Sequence, residues 1–166
     1  MRVIGIDPGT ARLGYGVIEA GDEPLLVDFG IVETGMEDGA APLRLEYIYQ
    51  GVQQLLETHR PDAMAIEQLF FARNVTTAIG VGQARGVTLL AASQARVDVF
   101  EYTPSQIKHA IAGYGKADKQ QMQEMVRILL GLEYAPQPDD AADALAVAIT
   151  HSHRRRFAEL SASEAS

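Results

Sequence analysis

The chain contains no cysteine, which excludes a disulfide framework, a thiolate nucleophile and a cysteine-ligated zinc site. It also lacks any uninterrupted apolar stretch near the roughly 20 residues that a spanning helix needs. The N-terminal apolar run Val3-Ile4-Gly5-Ile6 is cut short by Asp7, too early for a secretory leader. Together these absences predict a cytoplasmic protein with no membrane association. Positive charge is scarce as well: 14 Lys and Arg face 22 Asp and Glu, for a net charge of −8. That balance argues against a nucleic-acid partner only if the charge is evenly spread, and it is not. Before Glu67 the basic side chains are few: Arg2, Arg12, Arg44 and Arg60. After it come Arg73, Arg85, Arg96, Lys108, Lys116, Lys119, Arg127 and the run Arg154-Arg155-Arg156. Screening limits electrostatic reach to about 8–10 Å at ordinary salt, so local potential outweighs the total.

A length of 166 residues suits one domain able to bury its own core. No internal repeat or interdomain linker is visible. Residues 2–7 read as a short buried strand ended by Pro8-Gly9. Residues 13–20 supply a second strand, closed by Gly21-Asp22 and paired as a hairpin, and residues 25–34 a third. Leu45, Ile48, Val52, Leu55 and Leu56 recur at helical spacing, which predicts an amphipathic helix over 43–58. Residues 64–67 form a fourth strand and 97–102 a fifth. Between them a long helix spans 74–94, with Asn74 as its cap and Gly80, Gly82 and Gly86 weakening it. Thr103-Pro104 is a cap followed by proline at the first helical position. That helix breaks at Gly113 to Gly115. Further helices follow over 119–130 and from Asp139 to about Arg156. The order predicts an α/β fold: three antiparallel strands, then parallel strands, in a mixed five-stranded sheet with helices on both faces. Residues 1–157 make the domain, and the Ser/Ala-rich residues 158–166 form a flexible tail.

Acidic residues stand at the ends of these elements. Asp7 closes the first strand within Ile4-Gly5-Ile6-Asp7-Pro8-Gly9-Thr10, at the sheet edge where ligands of α/β folds collect. Asp-Pro-Gly is equally a plain turn in which Asp7 bonds the backbone. Glu67 ends the fourth strand in Ala65-Ile66-Glu67-Gln68. Alone it reads as a solvated strand end, but a parallel neighbour to the first strand would bring both carboxylates to one edge. Asp140 and Asp143, at i and i+3 in the last helix, share a face. The alanines between them keep that helix slim enough to approach the sheet closely. Early acids also suit a helix N-terminus, and Asp139 with Asp143 forms a competing i, i+4 pair. Clustered carboxylates without Cys or His suit Mg²⁺. Such clusters support two-metal phosphodiester chemistry, with ions about 3.5–4 Å apart.

At these residues a resemblance becomes specific. Ile4-Gly5-Ile6-Asp7-Pro8-Gly9, Ala65-Ile66-Glu67-Gln68, Gly82-Gln83-Ala84-Arg85-Gly86 and Asp140-Ala141-Ala142-Asp143-Ala144-Leu145-Ala146 resemble RuvC motifs in order and spacing. The resemblance runs from Arg2 to about His153. It implies an RNase H-like fold and a homodimeric endonuclease that cuts four-way DNA junctions symmetrically in recombination and repair. It implies Mg²⁺ or Mn²⁺ as cofactor, two ions per site, and a branch-migration helicase (RuvA-RuvB) as partner. Asp7, Glu67, Asp140 and Asp143 become metal-binding catalytic residues. Lys119 joins them, because Lys108 and Lys119 resemble basic residues that act near the scissile phosphate. Either lysine is otherwise an ordinary solvated helix residue.

Phe70 and Phe71 follow Glu67. The resemblance favours Phe70 for stacking on unpaired bases at the crossover, worth about 1–3 kcal/mol per base. The other phenylalanine is expected in the core. Arg73 and Lys116 are further phosphate contacts. Arg154-Arg155-Arg156 reads equally as DNA contacts or as a basic helix end complementing the dipole. His109, His151 and His153 receive no role. A C₂ dimer fits a junction of two-fold symmetry, and the helix at 74–94, with Val81, Val87 and Leu90, is its expected interface unless that face packs wholly on the sheet. Three rival readings exist, one of them a structure-selective DNA-binding module without catalysis. Ile6-Asp7-Pro8-Gly9-Thr10 also resembles the first phosphate-binding turn of actin-like ATPases and sugar kinases, but one domain does not supply both nucleotide-clamping jaws, so no nucleotide is expected. The YqgF-type family of RNA processing shares the fold, but Gln83-Ala84-Arg85-Gly86 and the Asp-Ala-Ala-Asp-Ala helix favour RuvC.

Overall fold

The computed structural model describes residues 1–9, 11–33, 41–69 and 75–164. Strands β1 (Arg2–Pro8), β2 (Arg12–Glu19) and β3 (Leu25–Glu33) come first, then helix α1 (Ala41–His59). Strand β4 (Ala63–Glu67), helix α2 (Val75–Gln94) and strand β5 (Asp98–Tyr102) follow. Helices α3 (Pro104–Ala112), α4 (Lys119–Leu129) and α5 (Asp139–Glu164) complete the described chain. The five strands form one sheet in the order β3-β2-β1-β4-β5. The pairs β1–β2 and β2–β3 are antiparallel, whereas β1–β4 and β4–β5 are parallel. The mixed sheet expected from the element order is therefore present.

Period-two alternation splits the central strands between two cores. Ile4 and Ile6 of β1, with Met64 and Ile66 of β4, pack against Ile48, Val52 and Leu56 of α1 and Ala84, Ala91 and Ala92 of α2. Val3 and Ala65 face the other side, where Leu145, Ala148 and Ile149 of α5 meet Ile107 and Ile111 of α3 and Met122 and Val126 of α4. Continued one residue further, the same alternation puts Asp7 and Glu67 on the α5 face.

Helix α5 lies against this sheet at a distance that only glycine permits. A Cβ built on Gly5 would stand 2.0 Å from the Ala144 carbonyl oxygen, and one on Gly14 would stand 2.0 Å from that of Asp140. Opposite them Ala141, Ala144 and Ala148 are fully buried. Small residues on both sides thus bring the helix backbone down onto β1 and β2, as the alanine spacing predicts. The expected end near Arg156 is corrected: α5 runs on through Glu164. The side chains of residues 154–163 are exposed, so this stretch reaches beyond the sheet it starts on. Continuous helix suits its Ala, Glu, Leu and Arg content, and Arg155 pairs with Glu159 at i, i+4.

Candidate active site

Parallel pairing of β1 with β4 runs through Ile6 beside Ile66, so Asp7 and Glu67 leave the sheet side by side at its C-terminal edge. The start of α5 delivers Asp140 and Asp143 to the same place. The electrostatics show how closely these groups crowd. The Asp7 carboxyl is raised to about 7, first by burial and then by the negative charges of Asp143, Glu67 and Asp140, with Lys119 opposing. Glu67 is also raised, first by burial and then by Asp143, while Lys108 opposes the rise. Burial raises Asp143 too, with Lys119 opposing. Carboxylates from three distant parts of the chain therefore share one field.

Asp139 and Asp140 stand in different surroundings. Asp139 bonds to α4: its carboxylate meets the Lys119 ammonium at 3.1 Å and accepts from the Gln123 amide at 2.8 Å, and its charge also acts on Asp143. Its carboxyl accordingly lies below the ordinary range, chiefly through the Lys119 hydrogen bond. Asp140 instead contributes to the field on Asp7, and its outer oxygen lies 3.4 Å from Arg12 Nε. The sequence reading gave Arg12 no role.

Lys119 spans Asp139 and Asp143, reaching the latter at 3.6 Å. It is the first residue of α4, whose Asp118 cap and Gln121 form a reciprocal capping box. A cation at a helix N-terminus opposes the macrodipole by about 0.3–1 kcal/mol. The two carboxylates offset that cost and raise the ammonium above its usual value, the Asp139 hydrogen bond foremost. Lys108 stands one helix earlier, on α3, which begins at the expected Thr103 cap with Pro104 in its first turn.

Two depressions of about 250 Å³ each adjoin at Glu67 and Pro104. One is lined by Lys108, Lys119 and Asp143, the other by Asp7, Gln68, Leu69 and Val81. The result is a groove with acids along its floor and lysines on one flank. Lys116 is exposed in the connection between α3 and α4. Phe70, Phe71, Arg73 and the proposed Asn74 cap lie outside the described residues.

The donor set is all oxygen and carries more negative charge than its neighbours neutralise, which fits a hard divalent cation. Among the described residues, no group of three acidic or histidine side chains already converges as a finished coordination shell. The carboxylates share a field while Lys119 draws Asp143 toward α4. His151, given no role above, is a buried structural residue whose Nδ1 lies 2.7 Å from the Tyr102 hydroxyl.

The chain is similar to known proteins over nearly its whole length. The family model described as crossover junction endodeoxyribonuclease RuvC matches residues 3–151. The RuvC of Brevibacillus brevis is 53% identical over 163 residues, covering 97% of each chain. That of Thermomicrobium roseum is 54% identical over 162 residues, covering 96% of this chain and 98% of the relative. Among solved structures, Thermus thermophilus RuvC in complex with Holliday junction substrate superposes with a TM-score of 0.90 at 42% identity. That match covers 95% of this chain and 96% of the other. A yeast mitochondrial Holliday junction resolvase at 14% identity and TM-score 0.65 shares the fold.

Proposed function

The chain belongs to the RuvC family of crossover junction endodeoxyribonucleases, and from that premise we propose that it resolves four-way DNA junctions by paired nicks, with Asp7, Glu67, Asp140 and Asp143 as its catalytic centre. The fold is RNase H-like and the family is divalent-metal dependent. The observation that carries the residue assignment is the shared field at the sheet edge, where Asp143, Glu67 and Asp140 all act on Asp7. Acids with no common structural purpose, brought from β1, β4 and α5, are best explained by a cation between them.

We assign two ions, Mg²⁺ or Mn²⁺, held by these four carboxylates. When bound, the ions supply an activated water and stabilise the leaving oxygen. The chain's own residues do the rest. Asp7, whose carboxyl burial and neighbouring acids raise, would have to be ionised to hold a cation. Lys119 and Lys108, on the groove's flank, offer positive charge to the scissile phosphate. Lys116, Arg73 and Phe70 are proposed as DNA contacts, the last for base stacking.

A homodimer would give the two sites that symmetric cutting requires. Helix α2 supports this reading. Ile79 and Leu90 are 58% and 51% exposed, and they stand three turns apart on one face, with exposed Gln83 and Gly86 between. Of the residues first expected at the interface, Leu90 fits. Val87 packs on the core beneath α1 and α2, and Val81 lines the groove. Cooperation with a RuvA-RuvB branch-migration helicase, in the cytoplasm, completes the proposal. The test is incubation of a four-way junction and a linear duplex with Mg²⁺, Mn²⁺ or EDTA. Symmetric nicks on the junction alone, absent in EDTA, are expected. Equal cutting of duplex, or cutting in EDTA, would refute it.

A further inference from the structure

At the end of β4 the sheet's own hydrogen bonding runs out on one side. The Gln68 N–H donates to the Tyr102 carbonyl at 2.8 Å, so the polar groups of residue 68 face β5. Successive strand residues present their backbone groups to opposite sides, so the Glu67 carbonyl faces β1. Since β1 and β4 pair in register through Ile6 and Ile66, the donor the ladder would next supply is the amide of residue 8. Residue 8 is proline, which has no N–H.

A side chain from the far face fills the gap. Arg85 of α2 donates from Nη1 to the Glu67 carbonyl at 2.6 Å, while its Nη2 pairs with Glu101 of β5 at 2.7 Å. Arg85 is only 8% exposed, and it shares its helix with buried Ala84, Thr88, Ala91 and Ala92. A charge buried there is costly unless its donors are well matched, and the planar fork of arginine serves two acceptors on adjacent strands at once.

We propose that Arg85 is a positioning residue for Glu67. It stands in for the amide that Pro8 lacks and holds the last residue of β4 in line with β1. The Glu67 carboxylate, on the opposite face, thereby keeps its place beside Asp7 and Asp143. The influence passes through the backbone: the charges acting on Glu67 itself are those of Asp143 and Lys108. The inference rests on the reading of Glu67 as an active-site ligand.

Full-length R85M, R85K, E67Q and the double variant P8A/R85M test it. Junction cleavage kinetics, Mn²⁺ affinity by calorimetry without DNA, and thermal melting are the readouts. For R85M, kcat and Mn²⁺ affinity are each expected to fall about 10–100-fold, the range for loss of a group supporting a metal ligand. KM for the junction should stay within about threefold of wild type. R85K, with a single ammonium for two acceptors, should fall between R85M and wild type. P8A/R85M, which returns an amide to position 8, should recover part of the loss. Folded R85M with wild-type kcat and Mn²⁺ affinity overturns the proposal, as does a defect confined to KM, which would make Arg85 a DNA contact. If R85M does not fold, R85K decides: a lowered kcat at unchanged KM supports the proposal and wild-type values overturn it. Full activity in E67Q would instead sink the parent reading of Glu67.

Discussion

At the scale of single residues, the site is a cluster of acids that burial and mutual repulsion make costly to ionise. The folded Asp7 carboxyl, raised from 3.8 to about 7, keeps a proton that the unfolded chain releases at lower pH. Between those values the folded state binds more protons, so this group's contribution to stability declines as pH rises through the window. Asn at position 7 carries no charge and escapes that decline. In EDTA, D7N should therefore melt above wild type, with a gap that widens from pH 5 to pH 7.5 and then levels off. Several degrees are expected, because ~1 kcal/mol moves Tm by about 2–4 °C in a chain of this size. A gap independent of pH would show that Asp7 does not titrate as described. The same variant, and E67Q, should lose junction cutting in Mg²⁺ while still retarding a junction in a gel; activity near wild type would remove the residue from the centre. The candidate acids Asp7, Glu67 and Asp143 were legible because each sits where a strand ends or one turn into a helix. The roles of Arg85, which stands in a motif quoted above, and of Arg12 were not. Spacing alone carries no signal that tells a buried clamp from a solvated charge.

At the scale of elements, the contact of α5 with β1 and β2 determines where Asp140 and Asp143 stand. Gly14 has no room for a Cβ, which would also lie 3.0 Å from the Cβ of Asp140. G14A should push the helix off the sheet, with a loss of about 1–3 kcal/mol typical of overpacking. Cleavage should suffer more, since a displacement near 1 Å can reduce a rate about 10²-fold. Thermal melting and single-turnover cleavage would check this; an unchanged rate would mean the helix adapts without moving its acids. Sequence patterns located the strands and the Thr103 and Lys119 helix starts, because alternation, proline and capping residues are local signals. The far end of α5 escaped because no breaker marks it. Ser and Ala were read as a frayed tail, whereas the helix continues without a core to pattern it.

At the scale of the whole molecule, net charge misleads. The −8 total includes the acids gathered at one edge, while Lys108 and Lys119 flank that same groove. Exposure of Ile79 and Leu90 along α2 leads to a further expectation. The variant I79E/L90E should sediment as a monomer with unchanged secondary structure, and should nick junctions singly instead of in pairs. Sedimentation identical to wild type would remove this face of α2 from the proposed dimer interface. The amino-acid order by itself determined the strand and helix succession, the mixed sheet, the family motifs and the candidate acids, because each is written in neighbouring residues. It left Asp139 and Asp140 indistinguishable. Only the tertiary structure gave them different neighbours, Lys119 and Gln123 for Asp139 and the field of Asp7 for Asp140. It alone also revealed Arg85 beneath Glu67, because a hydrogen bond from one face of a sheet to a strand end beside a proline depends on register and packing, which no local pattern encodes.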